Sequence, residues 1–115
     1  ERLPEAVAPS EPYDYWDEEH GGVYTCCGID DEGVYKIIYT GHTEAFGQVE
    51  CLATAEDGIH FQKYEGNPIL SKCPEGMRQN DFRDTKVWKR GKKWYLTAGT
   101  TDGKFGRVAY IILMI

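Results

Sequence analysis

Arg83 and Asp84 stand side by side at the start of a strand-like run, Phe82 to Trp88. A strand that begins inside a protein normally opens with packed apolar side chains. Two charges there carry a desolvation cost that a buried structural pair seldom repays. A guanidinium beside a carboxylate can form an ion pair or cap a turn. It can equally hold a polar ligand, with the carboxylate placed where positive charge develops during a reaction. Spacing alone leaves both readings open. Glu50-Cys51 puts a second acid in an apolar run, and His42 follows another strand-like segment, where a surface loop histidine is the simpler reading. Asp30, Asp31, Asp57 and Asp102 fall in turn-like stretches, where a carboxylate ordinarily bonds its own backbone. Cys26 and Cys27 are adjacent, so on a strand they point to opposite faces and cannot easily share a metal. With Cys51, Cys73 and the histidines at 20, 42 and 60 they complete no zinc spacing, and no metal or other cofactor is expected.

The elements that must position these residues occur twice. Tyr24 to His42 reads strand, Asp-Asp-Glu-Gly turn, strand; Phe82 to Thr100 reads strand, Lys-Arg-Gly turn, strand. Overlaid at a constant offset of 58, Gly33 meets Gly91, Ile29 meets Val87, Ile38 meets Leu96 and Gly41 meets Gly99. Repeats of this size made only of strands indicate a β-propeller, in which each blade is a four-stranded sheet. The expected fold is therefore all-β, a partial propeller with one complete antiparallel blade and most of a second. Residues 1–21, with Pro4, Pro9 and Pro12, read as an extended, mostly irregular segment whose Tyr13, Tyr15 and Trp16 pack onto the sheet. Residues 22–70 form the first blade, with strands from Val23 to Ile29, Val34 to Thr40, Gln48 to Ala55 and Ile59 to Tyr64. Asn67 to Leu70 then leads away from the outer edge. Residues 71–81 are a linker, and residues 82–115 an incomplete second blade with strands from Phe82 to Trp88, Lys93 to Gly99 and Gly106 to Ile115. Trp88, Trp94 and Tyr95 read as core and inter-blade packing. Two blades do not close a ring, so the chain reads as a fragment.

Composition narrows the function. A net charge of −6 with scattered basic residues argues against a nucleic-acid surface. Lys89-Arg90-Gly91-Lys92-Lys93 is most simply a solvated hairpin turn. No apolar run reaches the roughly 18 residues of a membrane span, and none has a signal-peptide layout. A cytoplasmic location is expected, with export of the parent protein left open. Val108 to Ile115 is uninterrupted apolar sequence, and such a run at a sheet edge invites pairing with another chain, so a homo-oligomer through strand edges is expected.

Four segments carry a family resemblance when taken in order. They are Tyr39-Thr40-Gly41; Glu50-Cys51-Leu52-Ala53 with Ala55-Glu56-Asp57-Gly58-Ile59-His60-Phe61; Phe82-Arg83-Asp84-Thr85-Lys86-Val87-Trp88; and Trp94-Tyr95. Over roughly residues 8–110 the chain resembles the invertase, levanase and sucrose-6-phosphate hydrolase family, glycoside hydrolase family 32. The related family 43 of arabinosidases and xylosidases is the close competitor. The resemblance implies a five-bladed propeller that cleaves a fructosyl bond with retention, using a nucleophilic carboxylate and an acid/base roughly 5 Å apart. It implies that Asp84 is the third carboxylate, which stabilises the transition state, and that Arg83 contacts the sugar. Tyr24 and Thr25 match the start of an aromatic-Ser-Gly-Ser stretch that lines the sugar site. Nothing in residues 1–22 matches the family's nucleophile motif, Trp-Met-Asn-Asp-Pro-Asn-Gly. The Glu-Cys acid/base belongs to a later blade. Glu50-Cys51 imitates that pair but lies ahead of Arg83-Asp84, on a third strand of the second propeller blade. The chain departs from the family at Thr85, where Pro is usual, and at Cys26-Cys27, where Gly-Ser is usual.

The expected function is that of a β-fructofuranosidase fragment contributing the Arg-Asp strand and inactive alone. The parent's partner is a fructoside or oligosaccharide, with no nucleic acid and no membrane. The alternative is a non-catalytic, self-associating or carbohydrate-binding propeller fragment.

Overall fold

The computed structural model describes residues 1–113 and contains seven strands: β1 (Gly22–Asp31), β2 (Val34–Thr43), β3 (Gly47–Ala55), β4 (Gln62–Lys63), β5 (Phe82–Arg90), β6 (Lys93–Thr101) and β7 (Gly106–Leu113). They form two antiparallel sheets, ordered β1-β2-β3-β4 and β5-β6-β7. The end of the last expected strand, Met114 and Ile115, lies outside the described residues.

Each blade opens with a two-residue hairpin, and the two turns differ. Asp31 pairs with Val34 across Glu32 (φ 52°) and Gly33 (φ 91°), both left-handed as a type I′ turn requires. Arg90 pairs with Lys93 across Gly91 (φ 63°) and Lys92, so the glycine comes first in the second turn and second in the first. The turns are therefore 59 residues apart, since 90 − 31 and 93 − 34 both give 59. The offset of 58 that aligns Gly33 with Gly91 and Ile38 with Leu96 is displaced by one residue, and one residue changes the face of a strand.

That displacement decides the packing. Cys27, Ile29 and Ile38 lie on the same face as the pair flanking their turn, whereas Val87 and Leu96 lie on the face opposite to theirs. These two sets meet in one core with Leu52, Phe82, Ala98, Ala109 and Leu113. The blades thus stack front to back, as a propeller requires. Ile38 and Leu96 enter that core from opposite faces of their blades and are not equivalents. Asp31 fastens the rim of this interface: its oxygens take Lys36 of the same blade at 3.0 Å and Lys89 of the next at 2.9 Å. Both ammonium groups lie over the Trp94 ring, at 5.1 and 5.4 Å from its centroid. Asp31 is therefore an inter-blade ion-pair group, not a turn carboxylate, and Lys89 is not simply solvated.

The other face of the first blade holds Tyr39, Val49, Cys51 and Ala53, covered by Val7 and Tyr13 from the N-terminal segment. Asp14 anchors that segment. Its buried carboxylate accepts from the backbone N–H of Ser10 and Glu11 (3.0 and 2.9 Å), the Tyr39 hydroxyl (2.7 Å) and the Lys63 ammonium (2.6 Å). Tyr13 packs as expected, but Tyr15 and Trp16 remain exposed because the turn begun at Glu11 directs the chain outward.

The fourth strand is shorter than Ile59 to Tyr64. Asp57 Oδ1 accepts from the N–H groups of Ile59 and His60 at 2.9 and 2.8 Å, and this local turn removes both residues from pairing. The edge of β3 is completed by the segment expected to lead away. The Asn67 side-chain amide bonds both Leu52 N and Leu52 O (2.8 and 2.9 Å), and Leu70 bridges to Glu50. The 71–81 segment is bonded to both blades, through Gln79 to the Gln48 backbone and through Arg78 N–H to Thr101 O.

Candidate active site

Both inner strands carry a β-bulge at the same end. In β1, Tyr24 and Thr25 together oppose Thr40; in β5, Asp84 and Thr85 together oppose Ala98. Two residues facing one bends the strand and re-aims side chains. Asp84 accordingly has φ 59°, the left-handed region that non-glycine residues rarely occupy, although Asp tolerates it better than most. Its neighbours fix it. Phe82 is fully buried, and its N–H donates to Gln48 Oε1 at 2.7 Å. Arg83 Nη1 donates to the same oxygen at 3.0 Å and to Asp81 Oδ1 at 3.2 Å. Thr85, standing where the family has Pro, is buried with its hydroxyl 4.0 Å from Cys27 Sγ.

Arg83 and Asp84 line one open cleft of about 230 Å³ with Asp81, Gly99, Thr100 and Thr101. The Thr100 hydroxyl is buried there with no partner. Tyr24 and Thr25 do not line this cleft. Thr25 is exposed, and Tyr24 borders a separate, largely apolar cavity of about 300 Å³ with Val7, Val23, Cys26, Ile37 and Tyr39. The Tyr24 hydroxyl lies 3.0 Å from His42 Nδ1. His42 is not a surface loop residue: it sits within β2, half-buried, with His20 edge-on at 5.1 Å. Burial, then the charges of His20 and Arg83, lower its pKa, and Asp17 opposes them.

Glu50 is the group whose setting was not foreseen. It is fully buried on β3, and its Oε2 accepts from the Thr40 hydroxyl at 2.8 Å, while Oε1 has no partner. Burial raises its pKa to about 8; Thr40 works against the rise and the negative charge of Asp84 adds to it. The signal available in the sequence was the alternation Gln48, Glu50 between Val49 and Cys51, with two polar side chains on one face of an otherwise apolar strand. Among the described residues, no cluster of three or more His, Cys, Asp or Glu side chains is arranged to hold a metal ion.

An inner strand that bulges to present an Arg-Asp pair in an open cleft beside the stacked first blade fits a propeller of the glycoside-hydrolase kind. The chain belongs to glycoside hydrolase family 32: residues 1–111 match the Glycosyl hydrolases family 32 N-terminal domain, which sets the family 43 alternative aside. It is 38% identical over 122 residues to the sucrose-6-phosphate hydrolase of Zymomonas mobilis subsp. mobilis, covering 98% of this chain and 22% of that protein. It superposes on the GH32 β-fructofuranosidase of Bombyx mori with a TM-score of 0.76 and 32% identity, covering 96% of this chain and 22% of that one. A mutant of the same enzyme in complex with sucrose gives a TM-score of 0.75, also at 32% identity and with the same coverage of both chains. The chain thus spans about a fifth of the length of these relatives.

Proposed function

We propose that the full-length protein hydrolyses β-fructofuranosides of the sucrose type, and that this blade pair supplies Asp84 as its transition-state-stabilising carboxylate. Arg83 contacts the sugar, and Tyr24 and Thr25 contribute to the neighbouring wall. The observation that carries this reading is Asp84 itself, held in a left-handed bulge at the inner end of an inner strand and lining an open cleft with Arg83 and Thr100. The names of the relatives, a sucrose-6-phosphate hydrolase and a β-fructofuranosidase solved with sucrose, supply the substrate class. Asp84 acts electrostatically: its negative charge is fixed before reaction where the fructosyl ring becomes positive. The nucleophile and the acid/base come from elsewhere in the full-length protein, so this chain alone has no turnover. The test is Asp84→Asn in the full-length protein, assayed on sucrose and sucrose 6-phosphate. A loss of kcat of about 10²–10³-fold with unchanged folding is expected, by analogy with removing one preorganised electrostatic group. Activity within about twofold of the wild type, far short of the effect such a group carries, overturns the role.

A second reading applies to the chain by itself. Val108, Tyr110 and Ile112 on β7 are 76%, 63% and 49% exposed, beside the ring cluster of Trp88, Tyr95 and Tyr110. This apolar face corresponds to the first-blade face that the second blade covers, so self-association would bury it. Light scattering distinguishes the outcomes, and a monomer refutes this second reading.

A further inference from the structure

Glu50 poses a problem that the proposed chemistry does not use. A fully buried carboxyl must be neutralised by a partner or must keep its proton, because an isolated buried anion is far costlier than protonation. On β2, Glu50 meets the Thr40 hydroxyl. On its own strand its neighbours along the same face are Gln48 and Leu52, and past the β3 edge its backbone pairs with Leu70. β5 opens with Phe82, Arg83 and Asp84. Arg83 is the cation at hand, but its Nη1 is committed to Gln48, Asp81 and the Asn80 carbonyl. Asp84 is the charge that acts on Glu50, and it is negative.

The direction of the side chain follows from register. Gln48, two residues earlier on the same face of β3, reaches across the blade interface to Phe82 N and Arg83 Nη1. Glu50 therefore lies behind the bulge that carries Asp84, with one oxygen occupied by Thr40 and the other buried and unpartnered.

We propose that Glu50 is a proton-bearing positioning residue for Asp84: held neutral behind the bulge, it keeps a second anion away from the buried side of Asp84. Burial disfavours the anion at Glu50, and the negative charge of Asp84 disfavours it further. Here the buried member keeps the proton and the bulged member faces solvent. Deprotonation of Glu50 places a second anion behind Asp84, loosens the bulge by repulsion and weakens the electrostatic match to the sugar.

This inference rests on the proposed function for its activity measurements and stands on infrared spectroscopy without it. In the full-length protein at about pH 6, the difference spectrum of wild type against Glu50→Gln should contain a protonated-carboxyl C=O band that titrates away as pH passes about 8. Glu50→Leu should lower kcat about tenfold with KM changed by less than about twofold, the pattern of a lost transition-state interaction. Glu50→Gln, neutral at every pH, should recover most of that loss and lack the alkaline fall in kcat/KM that the wild type shows above about pH 8. Absence of the carboxyl band overturns the proposal, as does an equal alkaline fall in wild type and Glu50→Gln, or wild-type kinetics in Glu50→Leu. Failure of the full-length protein to hydrolyse sucrose or its phosphate would refute the proposed function, while the infrared band would still decide whether Glu50 holds the proton.

Discussion

Replacing Glu50 by Gln should make the protein more stable, and increasingly so as pH rises. The ordinary pKa of this side chain is 4.5, and in the folded protein it is raised to about 8, chiefly by burial. Between those values the folded state keeps a proton that the unfolded state releases, so wild-type stability falls as pH increases through that window and levels off above it. At about 1.4 kcal/mol for each pH unit, the full difference amounts to about 5 kcal/mol. Gln preserves the shape and can still accept from the Thr40 hydroxyl, but it has no proton to lose. The two proteins should therefore be similar near pH 4.5 and diverge toward pH 8. Urea unfolding followed by tryptophan fluorescence measures this, because Trp94 lies buried at the blade interface. Stability curves that run parallel across the whole window would refute the reasoning. They would mean that Glu50 is charged and paired in the folded protein.

Asp14→Ala removes the anchor of the N-terminal segment and leaves the Lys63 ammonium without its carboxylate; a loss of about 3–5 kcal/mol is expected by urea denaturation. Burial raises the Asp14 pKa, but the bonds from Lys63, Glu11, Ser10 and Tyr39 outweigh it and the net value is lowered. The stability this carboxylate contributes is thus present above its unfolded pKa and lost as pH falls through the lower folded one, which an acid titration of stability should show in the wild type and not in the variant. Asp84→Gly should relieve the left-handed backbone and stabilise by about 1 kcal/mol while removing the hydrolysis proposed for the full-length protein; destabilisation in thermal unfolding would show that the side chain supports the fold rather than the site. Tyr24→Phe should cost about 1–3 kcal/mol, since His42 then has neither ring nitrogen bonded, and the same unfolding assay checks it.

The two hairpins, the inner position of Arg83-Asp84 and the all-β architecture were legible because they depend on local signals: turn glycines, strand periodicity and a charged pair where apolar residues are usual. The one-residue displacement between the blades was not. Gly33 and Gly91 look equivalent in sequence, but one is the second residue of its turn and the other the first. Only the pairing register distinguishes them. His42 and Asp31 were misjudged for a related reason. Their local sequence suits a loop or a turn, while their partners (Tyr24, His20, Lys89) come from other strands or the N-terminal segment. The shortness of β4 was in principle readable, since Asp57-Gly58 precedes two residues whose N–H groups a carboxylate can capture.

The displacement also explains why the candidate site belongs to the blade interface rather than to the second blade alone. Front-to-back stacking turns the face bearing Thr40, Gln48 and Glu50 toward β5. Gln48 then supplies the acceptor for both Phe82 N and Arg83 Nη1, fixing the residues that lead into the bulge, and Glu50 lies behind Asp84 itself. A left-handed Asp costs free energy of order 1–3 kcal/mol and persists only where the surroundings over-determine it. Those surroundings are the buried Phe82 ring on one side of the bulge and the buried Thr85 on the other, both set against the first blade. Loosening the interface at Gln48 should therefore release Asp84 from its conformation before it disturbs the hairpin that carries it.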